Sequence, residues 1–229
     1  MSDAGPTTST KDLVTFLTDF GWEGGYVAAC EAVMASIRPQ ARILHISHEI
    51  AVGDVSAGAL VLQRVTPLCP PAIHLAVIDP AVGTARRPLA LLTARGDALV
   101  GPDNGLLPPA ADALGGVVTA WVLDPARLRP RAGIAGSAMS TTFHGRDVFA
   151  PSAALLSGGE HPRSIAVEAD PASLVRLPRP MWQPTAGGAV AEVIEIDRFG
   201  NVELAVRFDE VMTPQHMLER ALVVEVEGE

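Results

Sequence analysis

The stretch LVTFLTDFGWEGGYVAACEAVMASIRPQARILHI, residues 13–46, decides the fold. Leu13 to Thr18 is short, apolar and β-branched, and it runs into Asp19-Phe20-Gly21, which reads as a strand followed by a turn. From Gly25 to Ile37 the apolar residues Val27, Cys30, Val33, Met34 and Ile37 recur at helical spacing, and Pro39 stops the helix. Arg42 to Ile46 is a second strand. Working outward, Asp54 is placed to cap a helix carrying Val55, Ala59, Leu62 and Val65. Ala72 to Ile78 is a third strand that ends at Asp79-Pro80. Strand, helix, strand, helix, strand in this order implies an α/β domain built on a parallel sheet with crossover helices. Such sheets bind ligands beyond the carboxyl ends of their strands, where Asp19 and Asp79 both fall.

Further on, Leu89–Thr93 and Ala98–Gly101 read as a hairpin around Arg95-Gly96-Asp97, and Val117–Leu123 reads as a strand. Gly133–Ser140 is small-residue loop, and Phe149–Leu156 is a helix ending at Gly158-Gly159. Residues 1–11 read as a flexible N-terminus and 12–178 as the N-terminal α/β domain. A linker is expected over 179–188, with Pro178, Pro180, Pro184 and Gly187-Gly188 marking the break. Residues 189–229 are expected to form a small C-terminal β domain from 189–196, 201–206 and 222–226. That is short for an independent core, so it is expected to lean on the first domain or on another subunit.

Composition narrows the classes. Of 229 residues 48% are hydrophobic, enough for a sizeable core, but only 4% are aromatic, so Ala, Val, Leu and Ile must fill it. A net charge of -9 argues against a nucleic-acid surface, which needs clustered Lys and Arg. No apolar run approaches the ~20 residues of a membrane span. The first residues lack the basic and apolar segments of a signal peptide, so a cytoplasmic protein is expected. Cys30 and Cys69 form no CxxC pair, which leaves a zinc site or redox dithiol without support. His45, His48 and Glu49 alternate along a strand end, so His45 and His48 need not converge, and no metal is expected.

Three clusters carry chemistry: Asp79-Pro-Ala-Val-Gly-Thr-Ala-Arg86, Thr142-Phe-His-Gly-Arg-Asp147 and Asp197-Arg-Phe-Gly-Asn201. Each sets charged or hydrogen-bonding side chains beside glycine, in loops that a rigid scaffold can hold toward a ligand. Each alone also has a commonplace structural reading. Asp-Pro starts turns, a single histidine such as His144 packs or faces solvent, and residues 197–201 suit a β-turn. No GxGxxG follows the first strand, so a dinucleotide dehydrogenase is a remote alternative.

Taken together, the clusters resemble the SAM hydroxide adenosyltransferases, adenosine-forming S-adenosyl-L-methionine (SAM) hydrolases related to fluorinase and chlorinase. The resemblance runs from about Leu13 to about Val206. It also takes in Thr18-Asp19-Phe20-Gly21, His48-Glu49-Ile50 with Asp54-Val55 and Gly58-Ala59, and Pro102-Asp103-Asn104-Gly105-Leu106. It implies an N-terminal α/β domain, a C-terminal β domain, and a homotrimer with active sites at subunit interfaces. SAM would be the substrate, and no cofactor would be needed. Asp79, Arg86 and His144 match the hydrolytic triad around an attacking water. Asp19 matches the carboxylate that grips the ribose hydroxyls. Asp197 would pair the methionine ammonium, Asn201 would bond the adenine edge, and Phe199 would pack against the ligand. Halogenase relatives carry Tyr-Ser where this chain has His144-Gly145, and the additional fluorinase loop is missing between Arg86 and Pro102; both differences favour hydrolysis. A halide-using SAM adenosyltransferase and a SAM- or adenosine-binding protein with little turnover are the alternatives.

Overall fold

A computed structural model describes residues 10–133, 140–185 and 188–205. The chain divides between Leu177 and Pro178 into two compact units. The first is organised by a seven-stranded sheet in the order β2-β1-β3-β5-β4-β6-β7. Its strands are β1 (Leu13–Thr18), β2 (Arg42–Ser47), β3 (Ile73–Val77), β4 (Pro88–Thr93), β5 (Ala98–Pro102), β6 (Val117–Leu123) and β7 (Ala166–Ala169). Helices α1 (Tyr26–Ile37), α2 (Val55–Val65), α3 (Pro108–Ala113), α4 (Pro125–Arg131) and α5 (Ala150–Ser157) complete it. No helix among the described residues is long and apolar enough to cross a membrane.

The sheet is mixed. β2, β1, β3 and β5 run parallel, as the alternation over residues 13–78 requires, whereas β4, β6 and β7 pair antiparallel. The expected hairpin forms, with Leu89 opposite Gly101 and Leu91 opposite Leu99. One face buries Val14, Phe16, Leu75 and Val77 with Val27, Cys30 and Met34 of α1 and Phe149, Ala153 and Leu156 around α5. The other buries Leu17, Ala76, Leu89 and Leu99 with Ala59 and Leu62 of α2 and Ala110 and Ala111 of α3. A three-layer arrangement follows, in which apolar burial on both faces explains strands without polar alternation. Asp54 caps α2 as expected, its carboxylate accepting the Ala57 N–H at 2.9 Å.

Polar groups inside this core are satisfied as one network. His74 is fully buried; its Nδ1 meets Thr15 Oγ1 at 2.9 Å and its Nε2 meets Asp97 Oδ1 at 3.1 Å. Asp97, also fully buried, accepts the Ala72 N–H and both Nε and Nη2 of Arg95. Burial raises its pKa, but the bonds from His74, Arg95 and Ala72 outweigh burial and hold it well below the usual carboxylate range.

The second unit carries two hairpins, β8 (Trp182–Thr185) with β9 (Gly188–Ala191) and β10 (Val193–Ile196) with β11 (Val202–Leu204). A strand therefore occupies part of the expected linker over 179–188. Pro184 is tolerated there because a two-stranded ribbon has only edge strands. Residues 134–139 of the expected loop, and the strand expected over 222–226, lie outside the described residues.

Candidate active site

The strand order reverses at β1. Its following neighbour in sequence, β2, lies on one side, and β3 lies on the other. Loops leaving the carboxyl ends of β1 and β3 diverge at such a point and open a crevice. Asp19 follows β1 and Asp79 follows β3, and both line a cleft of about 260 Å³ together with Phe20, Gly53, Phe143 and His144. This is near the lower end of small-molecule sites, ~300–1,000 Å³.

Each side chain is placed by local structure. Asn104 Nδ2 donates to the Ile78 carbonyl at 2.8 Å, and Asn104 Oδ1 accepts the Leu106 N–H, so the Asp103-Asn104-Gly105 turn fixes the exit of β3 just before Asp79. Asp103 itself is engaged by Arg87 and by the Val175 N–H. After Asp79 the chain turns back on itself, with Val82 N–H bonding the Asp79 carbonyl and Thr84 N–H the Ala81 carbonyl. Gly83, at φ +80°, passes so close to the Thr141 carbonyl that a Cβ would lie 2.7 Å from its oxygen. The return brings Arg86 back to Asp79.

Arg86 Nε donates to Asp79 Oδ1 at 3.1 Å and Nη2 donates to Oδ2, a bidentate pair in which the side chains are 5% and 6% exposed. Nη2 also reaches His144 Nδ1 at 3.2 Å, and the guanidinium lies 5.2 Å over the Phe149 ring. His144 stands at the head of a π-helical turn, Gly145–Phe149, that leads into α5; the Ala150 N–H bonds the Gly145 carbonyl. Pro151 cannot donate to the helical ladder, and π turns recur at functional sites. Gly145 is closely packed, since a Cβ would sit 3.0 Å from Phe20 Cζ and 3.3 Å from Phe143 Cε2.

The electrostatics are definite for His144. Burial, then the charge of Arg86, push its pKa below 6.5, while Asp79 and Asp147 pull the other way. A guanidinium can only donate, so His144 Nδ1 accepts, and the neutral ring carries its proton on Nε2. Elsewhere in the cleft lining, Asp19 Oδ2 accepts the Gly53 N–H at 2.9 Å, with Gly53 at φ +77°. Burial pushes the Cys30 thiol up to about 12, which makes it inert at neutral pH.

Of the seven residues singled out from sequence, Asp19, Asp79 and His144 thus line one cleft, and Arg86 contacts the last two. The other three share a single turn of the second unit. Asp197 Oδ1 accepts the Phe199 and Asn201 N–H groups, and Oδ2 accepts Asn201 Nδ2 at 2.7 Å. The Asn201 side chain, then the backbone donors, hold the Asp197 carboxyl below its usual range. Phe199 is 84% exposed.

One expectation is corrected. His45 and His48 do converge, with His45 Nδ1 and His48 Nε2 at 2.7 Å. The β1–β2 register shifts between Phe16 and Leu17, where Leu17 pairs with Ser47 rather than Ile46, and simple alternation ends before His48. Phe20, Tyr26 and Phe143 also form an unforeseen ring cluster, with centroids 5.2–6.1 Å apart. Its members are too far apart in sequence for a local pattern to reveal it. Among the described residues no group of three or more His, Cys, Asp or Glu side chains is arranged to hold a metal ion.

The fold and cleft define an α/β ligand-binding protein with a carboxylate–guanidinium–imidazole cluster at its strand switch point. The sequence profile of the SAM hydroxide adenosyltransferase N-terminal domain matches residues 14–166, and the chain belongs to that family. It is 50% identical over 193 residues to an (R)-S-adenosyl-L-methionine hydrolase of Salinispora arenicola, covering 84% of this chain and 71% of the relative. It is 42% identical to one from Thermus thermophilus, covering 82% and 72%. A fluorinase of Actinoplanes sp. is more distant at 26% identity, covering 83% and 70%. The crystal structure of an uncharacterized conserved protein from Thermotoga maritima superposes with a TM-score of 0.77 at 33% identity, covering 86% and 73%.

Proposed function

We propose that this chain hydrolyses SAM to adenosine and methionine, with Asp79, Arg86 and His144 acting on the attacking water. The observation that carries the reading is the contact of Arg86 with both Asp79 and His144, which line a cleft together with Asp19. The SAM hydrolases to which the chain is 50% and 42% identical support the same chemistry.

The reaction makes modest demands. Water forms the C5′–O bond as the C5′–S bond breaks, and the electron pair leaves with sulfur as the neutral thioether of methionine. No general acid or Lewis acid is needed for a sulfonium to depart, which supports a reaction without metal or cofactor. The enzyme must hold the water in line with the C5′–S bond. Asp79 has lone pairs beyond those used by Arg86 and accepts one hydrogen of the water. His144 offers its Nε2–H to the same oxygen and fixes its direction. As C5′–O forms, the oxygen becomes a protonated alcohol, a far stronger acid than a carboxylic acid. Even an Arg-paired carboxylate is then base enough to take the proton.

Asp19 accepts the ribose hydroxyls, supported by its place beyond β1 in the lining of the same cleft. Asp197 pairs the methionine ammonium, Asn201 bonds the adenine edge and Phe199 packs on the ligand, supplied within a homotrimer whose sites lie at subunit interfaces. The exposure of Phe199 and the ionised state of Asp197 support these roles. A cytoplasmic setting is supported by Cys30 and Cys69, both free thiols. The test is incubation with SAM, followed by chromatography. Adenosine and methionine should appear in equal amounts, unaffected by EDTA. A 5′-halo-5′-deoxyadenosine product in chloride would replace hydrolysis by the halide reading.

A further inference from the structure

Beside the cleft, and outside the triad, three side chains form a hydrogen-bonded run whose far end meets the Glu31 carboxylate. Thr18 Oγ1 meets His48 Nδ1 at 2.8 Å, His48 Nε2 meets His45 Nδ1 at 2.7 Å, and His45 Nε2 meets Glu31 Oε1 at 3.1 Å. The run begins at the last residue of β1, crosses His48, which is 1% exposed, and ends on α1 at the surface. Trp22 packs edge-on against His48 at 4.5 Å and tilted against His45 at 5.3 Å between centroids.

Donor chemistry gives it a direction when both imidazoles are neutral. A carboxylate only accepts, so His45 places its proton on Nε2 beside Glu31 and presents a bare Nδ1. His48 must then donate from Nε2, which leaves its own Nδ1 bare to accept the Thr18 hydroxyl proton. Thr18 Oγ1 is left with lone pairs, one of which accepts the Phe20 N–H at 3.2 Å. Every member is satisfied in this arrangement, and burial above all holds His48 neutral, with a pKa lowered to about 4. The backbone joins in, since the His48 carbonyl accepts the Gly21 N–H at 2.8 Å. His48 therefore grips the β1–α1 loop at Thr18 by its side chain and at Gly21 by its backbone. Asp19 lies between these two grips.

The geometry points to His48 and Thr18 as positioning residues for the nucleoside-binding carboxylate of Asp19, oriented by a directional relay from Glu31 through His45. This rests on the ribose role proposed for Asp19. Neither residue touches the reacting atoms; they fix the loop on which Asp19 rides, as outer-shell hydrogen bonds orient a ligand-binding group. A mere loss of stability lowers the folded fraction and hence apparent kcat. Loss of positioning raises KM and the adenosine dissociation constant while kcat stays.

The experiment has two arms on the full chain. Long-range proton–nitrogen NMR of the imidazoles at neutral pH should show His48 as the Nε2–H tautomer with a bare Nδ1. The opposite tautomer would overturn the relay, whatever the enzyme does. In the second arm, adenosine binding by calorimetry and SAM kinetics are compared for wild type, Thr18→Val and Thr18→Ser. Thr18→Val should raise both the adenosine dissociation constant and KM about fivefold, the change expected for one hydrogen bond, with kcat within about twofold. Thr18→Ser should restore both. Unchanged adenosine affinity in a folded Thr18→Val protein, or a loss confined to kcat, would overturn the positioning role. Wild type that fails to bind adenosine at all would overturn the nucleoside reading and this role with it, while leaving the NMR result standing.

Discussion

Replacing Arg86 by Ala probes the site at its most connected point. Its guanidinium makes three hydrogen bonds, two to Asp79 and one to His144 Nδ1, in a place where it and Asp79 are 5% and 6% exposed. Hydrogen bonds to charged groups contribute ~1.5–3 kcal/mol each, and bonds sharing one guanidinium do not add. Without Arg86, Asp79 faces the cost of a buried unpaired carboxylate, ~3–5 kcal/mol for breaking such a pair. Asp79 also loses the fork that orients it, and His144 loses the donor that fixes its tautomer. Turnover should fall ~10²–10⁴-fold, the usual worth of a group acting on a transferred proton. Arg86→Lys keeps the charge but not the fork, so it should still lose most of the rate. Adenosine release at saturating SAM, followed by chromatography, reads the rate, and calorimetric adenosine binding reads the nucleoside wall, which should hold within about threefold. An Arg86→Ala enzyme with more than about a tenth of wild-type turnover, or one that no longer binds adenosine while folded, would refute the assignment.

The remaining predictions concern stability and pH. Asp97→Ala strips the buried partner from His74, Arg95 and the Ala72 N–H, and should cost about 3–5 kcal/mol, a fall in Tm of roughly 10 °C by calorimetry. His48 titrates near 4 in the fold against 6.5 ordinarily, so below pH 6.5 the unfolded chain binds the extra proton. Stability should be fully present above about 6.5 and fall as pH drops toward 4, as urea titrations across that range would show. His144, lowered below 6.5, must be neutral to accept from Arg86, so turnover should be flat near neutrality and decline on the acidic side below pH 6.5.

Much of this was legible in residues 13–79, where β-branched runs, helical spacing and the Asp54 cap agree with one another. The antiparallel half was less so. β7 is only four residues long, and α3 and α4 begin at Pro108 and Pro125, which look like loop punctuation although proline suits a first helical turn. Asp19 and Asp79 were visible because strand ends mark sites in parallel sheets. The relay through His48 was not, because a register shift between Phe16 and Leu17 alters which side chains meet, and no spacing rule reports a bulge. The contact of Arg86 with His144 joins loops far apart in sequence, and only the family motifs suggested it.

The central claim is that a water held by Asp79 and His144 attacks C5′ of SAM. Turnover in water enriched in oxygen-18 tests it most directly, with both products weighed by mass spectrometry. One labelled oxygen should enter adenosine at the 5′-hydroxyl, and none should enter methionine. Adenosine without the label, or label in methionine instead, would contradict attack by water at C5′.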